Sequence, residues 1–470
     1  MEGLTIGDIS RIVQGKLLAG DKETPARSVS IDSRTLRQGE LFWALPGERF
    51  DGHDFVIHAL EAGAAGVIIS RPEIGPKIEA FRRDNDPPIS SLWVENSLKA
   101  LQELARHWRK RFSIPVTAVT GSNGKTTTKE LIASVLARRM DVHKNQGNFN
   151  NLIGLPLTLL NLSSQHQVAV LEMGMNRLGE IEALCRIALP TLGVITNING
   201  AHLEILGSIE AVQQAKGELV QALDKEHTLI VNADDPRVVE LGRGFAGRRI
   251  DFGIDAPAEV RASQVREQGI KGVHFRLAVE DREVPICLRL MGRHNVSNAL
   301  AAAAVGHAFS LEVEKIRKGL EWFTGMKMRM QFHQLRNKVL LIDDSYNANP
   351  TSMEAAIRTL AGMDSQGRSF LVFGDMLELG LQSEVFHRDI GRLVTELGID
   401  YLITIGKSAN LAAEEALYRK MDKDRVSICH NHQKGAQVLL SWLREGDRVL
   451  IKGSRGSAME NVVQAIIENQ

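Results

Sequence analysis

The 470-residue sequence predicts an α/β protein of three domains. Three observations carry that expectation. Domains usually take roughly 100–200 residues each, so the length suits about three. From Val116 onward, continuously apolar strands alternate with amphipathic helical stretches, as in a parallel sheet covered on both faces. A proline-marked break at Ser113-Ile114-Pro115 and a fresh strand–helix series near Lys338 set expected domains at 1–112, 113–325 and 326–470.

In the first domain, short strands are expected at Leu41–Leu45, Ala65–Ile69 and Leu92–Val94, and a helix from Asn96 to Phe112. In the second, Val116–Val119 reads as a strand, Lys129–Met140 as a helix, and Val168–Leu171, Leu192–Thr196 and Thr228–Val231 as further strands. Glu210–Leu223 has helical spacing. Residues 258–291 alternate apolar with charged side chains, as a small antiparallel patch would, and Asn295–Phe309 is an alanine-rich helix. In the third, strands are expected at Val339–Ile342, Phe370–Phe373, Tyr401–Ile405 and Val449–Ile451, with helices between them such as Ser383–Leu397.

Composition narrows the function. Lys+Arg and Asp+Glu number 57 each, so the net charge is zero and a broadly basic nucleic-acid binder is excluded. At 43% hydrophobic and 24% charged residues, the chain can fold around its own cores. Cys185, Cys287 and Cys429 stand far apart, which suggests neither a zinc knuckle nor a disulfide framework and fits a reducing compartment. No window approaches about 18 uninterrupted apolar residues and no basic–apolar leader opens the sequence, so the expectation is a cytoplasmic protein without membrane insertion.

The sharpest chemical signal is Val119-Thr120-Gly121-Ser122-Asn123-Gly124-Lys125-Thr126-Thr127, set between an apolar strand and a helix. Glycines let backbone N–H groups face phosphate oxygens, the helix adds its positive end, Lys125 adds a full charge, and the Thr126 hydroxyl can meet Mg²⁺. The general pattern wants a glycine where this chain has Val119. Such a loop defines nucleotide binding, while the surrounding acids and cations decide what happens to the phosphate. Glu172 ends an apolar strand, where a carboxylate faces a ligand crevice, or is simply solvated. His202 lies just past another strand and Lys216 on the next helix. Taken alone, these read as a structural histidine and a surface lysine.

Five segments then act together: the Thr120–Thr127 loop, Gly147–Pro156, Glu172-Met173-Gly174, Ala201–Leu219 and Gly292–Ala302. In combination they resemble the Mur ligase family, ATP-dependent ligases that extend the bacterial peptidoglycan precursor, whose loop lacks a glycine at the Val119 position. Ile342–Pro350, Phe373–Gly380 and Lys452–Ser457 resemble the branch that adds D-Ala-D-Ala to UDP-N-acetylmuramoyl-tripeptide. Asp32-Ser33-Arg34, Phe42–Gly47 and Asp51–Phe55 resemble its UDP-sugar domain. The likeness covers nearly the whole chain.

The resemblance implies a UDP-sugar domain, a central P-loop ATPase domain and a Rossmann-like C-terminal domain. It also implies ATP and Mg²⁺ as cofactors, the tripeptide and dipeptide as substrates, and a monomer. ATP would phosphorylate the tripeptide carboxylate, the dipeptide amine would attack the acyl phosphate, and ADP and phosphate would leave. Glu172, His202 and Thr126 would be Mg²⁺-site residues, joined by Lys216 if carbamylated. His294, Asn295 and Asn298 would meet the nucleotide, Arg329 its phosphates and Asp344 its ribose. Ser33, Arg34, Asn150 and Asn151 would contact the UDP-sugar substrate, and Asn347, Asn349, Lys452 and Arg455 the dipeptide. Asn298 could instead serve a helix end, and the last four could be loop caps or surface cations. The family's arginine normally follows a glycine, where this chain has Met328. A P-loop switch or motor, and a sister ligase with another acceptor, are the alternatives. Domain closure through Trp322–Gln331 is expected to assemble the site.

Overall fold

The computed structural model describes every residue except 2, 48–49, 85–88, 201–202, 364–366 and 470. Three sheets of five, nine and six strands carry an α/β fold. The chain forms two compact units: residues 1–118, 140–175 and 179–192 make the first, and 119–139, 176–178 and 193–470 the second.

The first unit holds a five-stranded sheet in the order Lys16–Ala19, Ser90–Trp93, Gly66–Ile69, Leu41–Trp43, Val29–Ser30. Its strands are parallel except for Lys16–Ala19, which runs antiparallel to Ser90–Trp93. Gly66–Ile69 is buried at every position, as a strand covered on both faces must be. The helix Ser97–Arg109 opens on Asn96, whose side chain accepts from Lys99 N, and it turns Ala100, Leu101, Leu104, Ala105 and Trp108 inward at helical spacing. The same unit holds the parallel pair Val142–Lys144 and Val168–Glu172.

In the second unit, Thr228–Asn232, Arg248–Gly253 and Val260–Glu267 pair in parallel. Val273–Val279 and Arg282–Leu288 then follow antiparallel. The expected antiparallel patch is therefore present, but it extends a parallel sheet because Val260 and Arg261 pair alongside Phe252 and Gly253. The helix expected at Lys129–Met140 runs instead from Lys125 to Leu136. Gly124 adopts a left-handed φ of 78°, which lets the helix begin at once through the three threonines. It closes early because Arg138 and Arg139 bond three residues back, to Val135 and Leu136.

The six-stranded sheet positions the loops that matter. Its order is Gln331–Gln334, Leu340–Asp344, Arg448–Lys452, Ser369–Gly374, Tyr401–Ile405, Val426–Cys429. Leu340–Asp344, Arg448–Lys452 and Ser369–Gly374 are parallel neighbours, so the loops leaving their carboxyl ends converge. Ile342, Leu450 and Leu371 pack into one core, and Leu341, Val449 and Val372 into another. A sheet buried on both faces holds those loop roots rigidly.

Candidate active site

The loop after Val116–Thr120 is shaped by close backbone approach. A side chain at Gly121 would lie 1.8 Å from Thr196 Oγ1, and one at Gly124 would lie 2.3 Å from Asn298 Oδ1. Ser122 N donates to Asn197 O at 2.9 Å, and Asn123 N donates to Asn197 Oδ1 at 2.9 Å. Thr196 Oγ1 donates to Asn123 O at 2.6 Å, and Ser122 Oγ to Asn199 O at 2.9 Å. Thr196, Asn197 and Asn199 were not singled out from the sequence; polar residues just beyond an apolar strand were the available signal. Lys125 Nζ donates to the loop's own carbonyls, Gly121 O at 2.8 Å and Ser122 O at 3.2 Å. Thr126 is buried and Thr127 half-buried.

Asn295 and Asn298 face this loop from the helix Arg293–Ala308. Asn298 Oδ1 accepts from Thr128 Oγ1 at 3.2 Å, its Nδ2 donates to Asn295 Oδ1 at 2.9 Å, and Asn295 Nδ2 donates to Met291 O at 2.7 Å. Asn298 thus braces the P-loop helix from a neighbouring element. His294 is exposed, with Nε2 3.2 Å from Asn295 Nδ2.

The C-terminal sheet brings three more motifs to the same unit. Arg329 Nη2 donates to Thr126 Oγ1 at 3.0 Å, and its guanidinium stacks 4.2 Å from the Tyr346 ring centre. Met328, where a glycine was expected, takes φ = 60°, and its neighbour Met330 takes 47°. This strained turn is held by Tyr346 N on Met328 O (3.1 Å), Met328 N on Gln331 Oε1 (3.1 Å) and Met330 N on Asp344 Oδ1 (3.1 Å). Asp344 Oδ2 pairs with Lys452 Nζ at 2.5 Å, and Lys452 also donates to Asn347 O at 2.9 Å. These two residues, expected to meet ribose and dipeptide separately, hold each other in this structure.

Asn349 caps the helix Pro350–Ala361 through Ser352 N and donates to Asn123 Oδ1 at 2.7 Å, so the cap reading and a P-loop contact both hold. Asn347 Oδ1 accepts from Arg455 N at 3.2 Å, while the exposed Arg455 guanidinium pairs with Glu460 at 2.6 Å. Ser122, Lys125, Asn347, Asn349, Glu378 and Arg455 line a single cavity of about 200 Å³.

Lys216, read from sequence as a surface lysine in isolation, is 1% exposed on the helix Ile209–Gln221. Burial, reinforced by the charge of Lys125, lowers its amine pKa well below the ordinary lysine value. A buried neutral amine is the form that reacts with carbon dioxide. His202 lies outside the described residues.

In the first unit, Glu172 is 3% exposed. Its backbone is gripped on both sides by Asn145, which accepts from Glu172 N at 2.9 Å and donates to Glu172 O at 3.0 Å. Asn145 was not anticipated. Asn150 Nδ2 donates to Glu172 Oε1 at 2.8 Å, while Oε2 is buried and has no hydrogen-bond partner among the described residues. A buried carboxylate with one oriented and one unsatisfied oxygen suits a hard cation such as Mg²⁺, as does the Thr126 hydroxyl. Asn151 Oδ1 accepts from Ile153 N and Gly154 N, which makes it a local turn anchor. Ser33 is buried, and Arg34 forks onto Asp32 at 2.9 and 2.7 Å, pulling the Asp32 carboxyl down to about 2.

The chain belongs to the Mur ligase family. Residues 25–109 match the Mur ligase family catalytic domain, 119–306 the Mur ligase middle domain, and 328–455 the Mur ligase glutamate ligase domain. The UDP-N-acetylmuramoyl-tripeptide–D-alanyl-D-alanine ligase of Bacillus subtilis (strain 168) is 39% identical over 466 residues, 99% of this chain and 98% of that one. The ligase of the same name from Escherichia coli K12 is 35% identical, covering 100% and 99%. Among solved structures, MurF from Acinetobacter baumannii superposes with a TM-score of 0.87 at 32% identity over 99% of both chains. MurF from Thermotoga maritima in complex with ADP gives 0.79 at 29% identity over 94% and 97%.

Proposed function

We propose that this chain is an ATP-dependent ligase that joins D-alanyl-D-alanine to UDP-N-acetylmuramoyl-tripeptide in peptidoglycan precursor synthesis. The observation that carries the reading is the shared cavity. The P-loop lysine and the Asn347, Asn349 and Arg455 loops line one space, so a phosphate-handling group and an acceptor-binding surface meet. A switch or motor has no use for that juxtaposition. Full-length likeness to ligases of this name supplies the substrates.

A carboxylate is a poor electrophile. Phosphorylation turns one of its oxygens into a leaving group, and the dipeptide amine then attacks the acyl phosphate to give amide and phosphate. The chain's task is to hold anions together, which calls for cations at the junction. Lys125 and Arg329 serve the transferred phosphate. His294, Asn295 and Asn298 serve the nucleotide beside the loop. Asp344 sits at the root of both nucleotide and acceptor loops. Ser33, Arg34, Asn150 and Asn151 serve the UDP-sugar substrate.

Thr126, Glu172, His202 and a carbamylated Lys216 are the assigned Mg²⁺ holders, and the bound ion would supply charge neutralisation for the phosphates. The three-domain division at 112 and 325, closure through Trp322–Gln331, a monomer and a cytoplasmic location belong to the same reading. Among the described residues, no helix is long and apolar enough to cross a membrane.

The test is a product mass spectrum. Purified protein is incubated with Mg²⁺, ATP, UDP-N-acetylmuramoyl-tripeptide and D-Ala-D-Ala. A pentapeptide product, with ADP formed in step with it, is expected. ATP turnover without the tripeptide and no new amide would overturn the reading in favour of a switch.

A further inference from the structure

The loop Asp375–Gly380, between the strand Ser369–Gly374 and the helix Ser383–Glu396, is fastened at nearly every residue. Asp375 Oδ1 accepts from Ala409 N at 2.7 Å, and Asp375 O accepts from Ser454 N at 3.0 Å. Met376 N donates to His387 Nε2 at 3.0 Å, and Leu377 N donates to Ser454 Oγ at 2.9 Å. Buried His387 is held as this acceptor by its own Nδ1, 2.6 Å from Ser383 O. Ser454 in turn donates to Ala348 O at 3.0 Å, which ties the loop to the Asn347–Asn349 segment. At the end of this chain of anchors, Glu378 takes φ = 63°, and its carbonyl accepts from Glu204 N at 3.3 Å.

A non-glycine residue held in the left-handed region by so many anchors marks a place where the surroundings over-determine the backbone. Had the turn alone mattered, glycine would meet it without strain, and Gly380 two residues on does so at φ = 57°. The turn itself therefore gives no reason for a glutamate at 378. Glu378 lines the cavity that Lys125, Arg455 and Asn347 also line, and it is the one acid among the described lining residues. The cavity's other charged lining residues are the cations Lys125 and Arg455, which suit the anionic parts of phosphate and peptide. One carboxylate there suits the one basic group that must enter, the acceptor's amine.

We propose that Glu378 is a catalytic residue that receives the amino group of the incoming dipeptide. The inference rests on the function proposed above. Its carboxylate accepts a hydrogen bond from the amine N–H, which aims the nitrogen lone pair away from Glu378 and toward the acyl carbon. As the C–N bond forms and the nitrogen turns positive, the carboxylate offsets that charge. The acyl C–O bond to phosphate then breaks, phosphate leaves with the electron pair, and the extra proton on nitrogen is released to water. Asp375, Ser454 and His387 are positioning residues for it.

The test uses full-length wild type, Glu378→Gln and Glu378→Asp with ATP, Mg²⁺ and the UDP-tripeptide, comparing two nucleophiles. D-Ala-D-Ala requires the amine site, whereas hydroxylamine is neutral at pH 7.5 and small enough to reach an acyl phosphate without it. Glu378→Gln is expected to lower kcat/KM for the dipeptide about 10- to 100-fold, the worth of a hydrogen bond to a charged group. Hydroxamate formation and the KM for ATP should stay within twofold of wild type, and Glu378→Asp should recover part of the loss. Equal losses with both nucleophiles, or no loss with the dipeptide, would overturn the proposal. Wild type that forms hydroxamate but no pentapeptide would instead overturn the dipeptide-ligase reading on which it stands.

Discussion

Lys452→Met is the most informative single change in the C-terminal sheet. The wild-type ammonium is 4% exposed and lies 2.5 Å from an Asp344 carboxylate that is 13% exposed. Removing it leaves that carboxylate with only the Met330 N–H, at 3.1 Å, and takes the donor from Asn347 O. Breaking one side of a buried ion pair costs about 3–5 kcal/mol. For a cooperative unit of ordinary size this lowers Tm by roughly 2–4 °C per kcal/mol, hence roughly 6–20 °C, read by scanning calorimetry. Asp344→Asn in the Lys452→Met background removes the stranded charge and should recover about 2 kcal/mol or more as a coupling energy. Because Asp344 braces Met330 beside Arg329, and Lys452 braces Asn347, the single variant should raise KM for both ATP and dipeptide. Additive single costs below about 1 kcal/mol, or movement of only one KM, would refute the claim that this pair joins the two loops.

Three further outcomes follow from local geometry. Met328→Gly, at φ = 60°, should leave stability unchanged or raise it by up to about 1 kcal/mol despite the lost side chain, as urea midpoints would show; a clear loss would mean that the methionine's packing outweighs its strain. Lys216 has its amine pKa lowered by burial and by Lys125, so the unfolded chain binds a proton there that the folded chain resists, and this site makes stability rise with pH up to the ordinary 10.5. Lys216→Met should therefore stabilise the protein in carbon-dioxide-free buffer at pH 7 while ligase activity falls about 10- to 100-fold; retained activity would remove Lys216 from the site. His143 is pushed down to about 4, chiefly by burial, so it stays neutral in the fold while the unfolded chain protonates near 6.5. Its contribution, about 3 kcal/mol, should be lost as pH falls from 6.5 toward 4, and His143→Gln should flatten that acid limb of the stability profile.

Much of this architecture could be read from sequence because its signals are local. Gly66–Ile69 and Arg448–Lys452 are buried at every position, and their apolar runs announce it. The P-loop glycines stand where the side chains of Thr196 and Asn298 leave no room for another. Other features depend on strand order, which sequence does not display. Arg448–Lys452, the last strand in the chain, inserts between Leu340–Asp344 and Ser369–Gly374, and only that insertion brings Asp344, Asp375 and Lys452 to one edge. Burial of Lys216 was hidden for a similar reason, since its helix has polar neighbours and a surface face would read alike. By contrast, the fork between Arg34 and Asp32 spans two residues and was open to inspection. Because the Arg34 side chain is 83% exposed, water screens the pair and a diphosphate can exchange for Asp32 at little cost.

The partners of the site's cations rank what each can do. Arg329 is held by a neutral hydroxyl and an aromatic face, contacts that a phosphate oxygen outcompetes because it adds the attraction of an opposite charge. Arg455 is paired with Glu460, but its side chain is 56% exposed, so water screens the pair and an incoming carboxylate can exchange for it at little cost. Lys452 differs, because its carboxylate partner is buried with it and releasing either strands a charge. Of the two cations expected to hold the dipeptide's terminal carboxylate, Arg455 is therefore the better candidate, and Lys452 is a strut between Asp344 and Asn347. Arg455→Ala should raise the dipeptide KM about tenfold with Tm and the KM for ATP unmoved, whereas Lys452→Met should lower Tm and raise both KM values. If Arg455→Ala lowers Tm as Lys452→Met does, or leaves the dipeptide KM at its wild-type value, the division of labour is wrong.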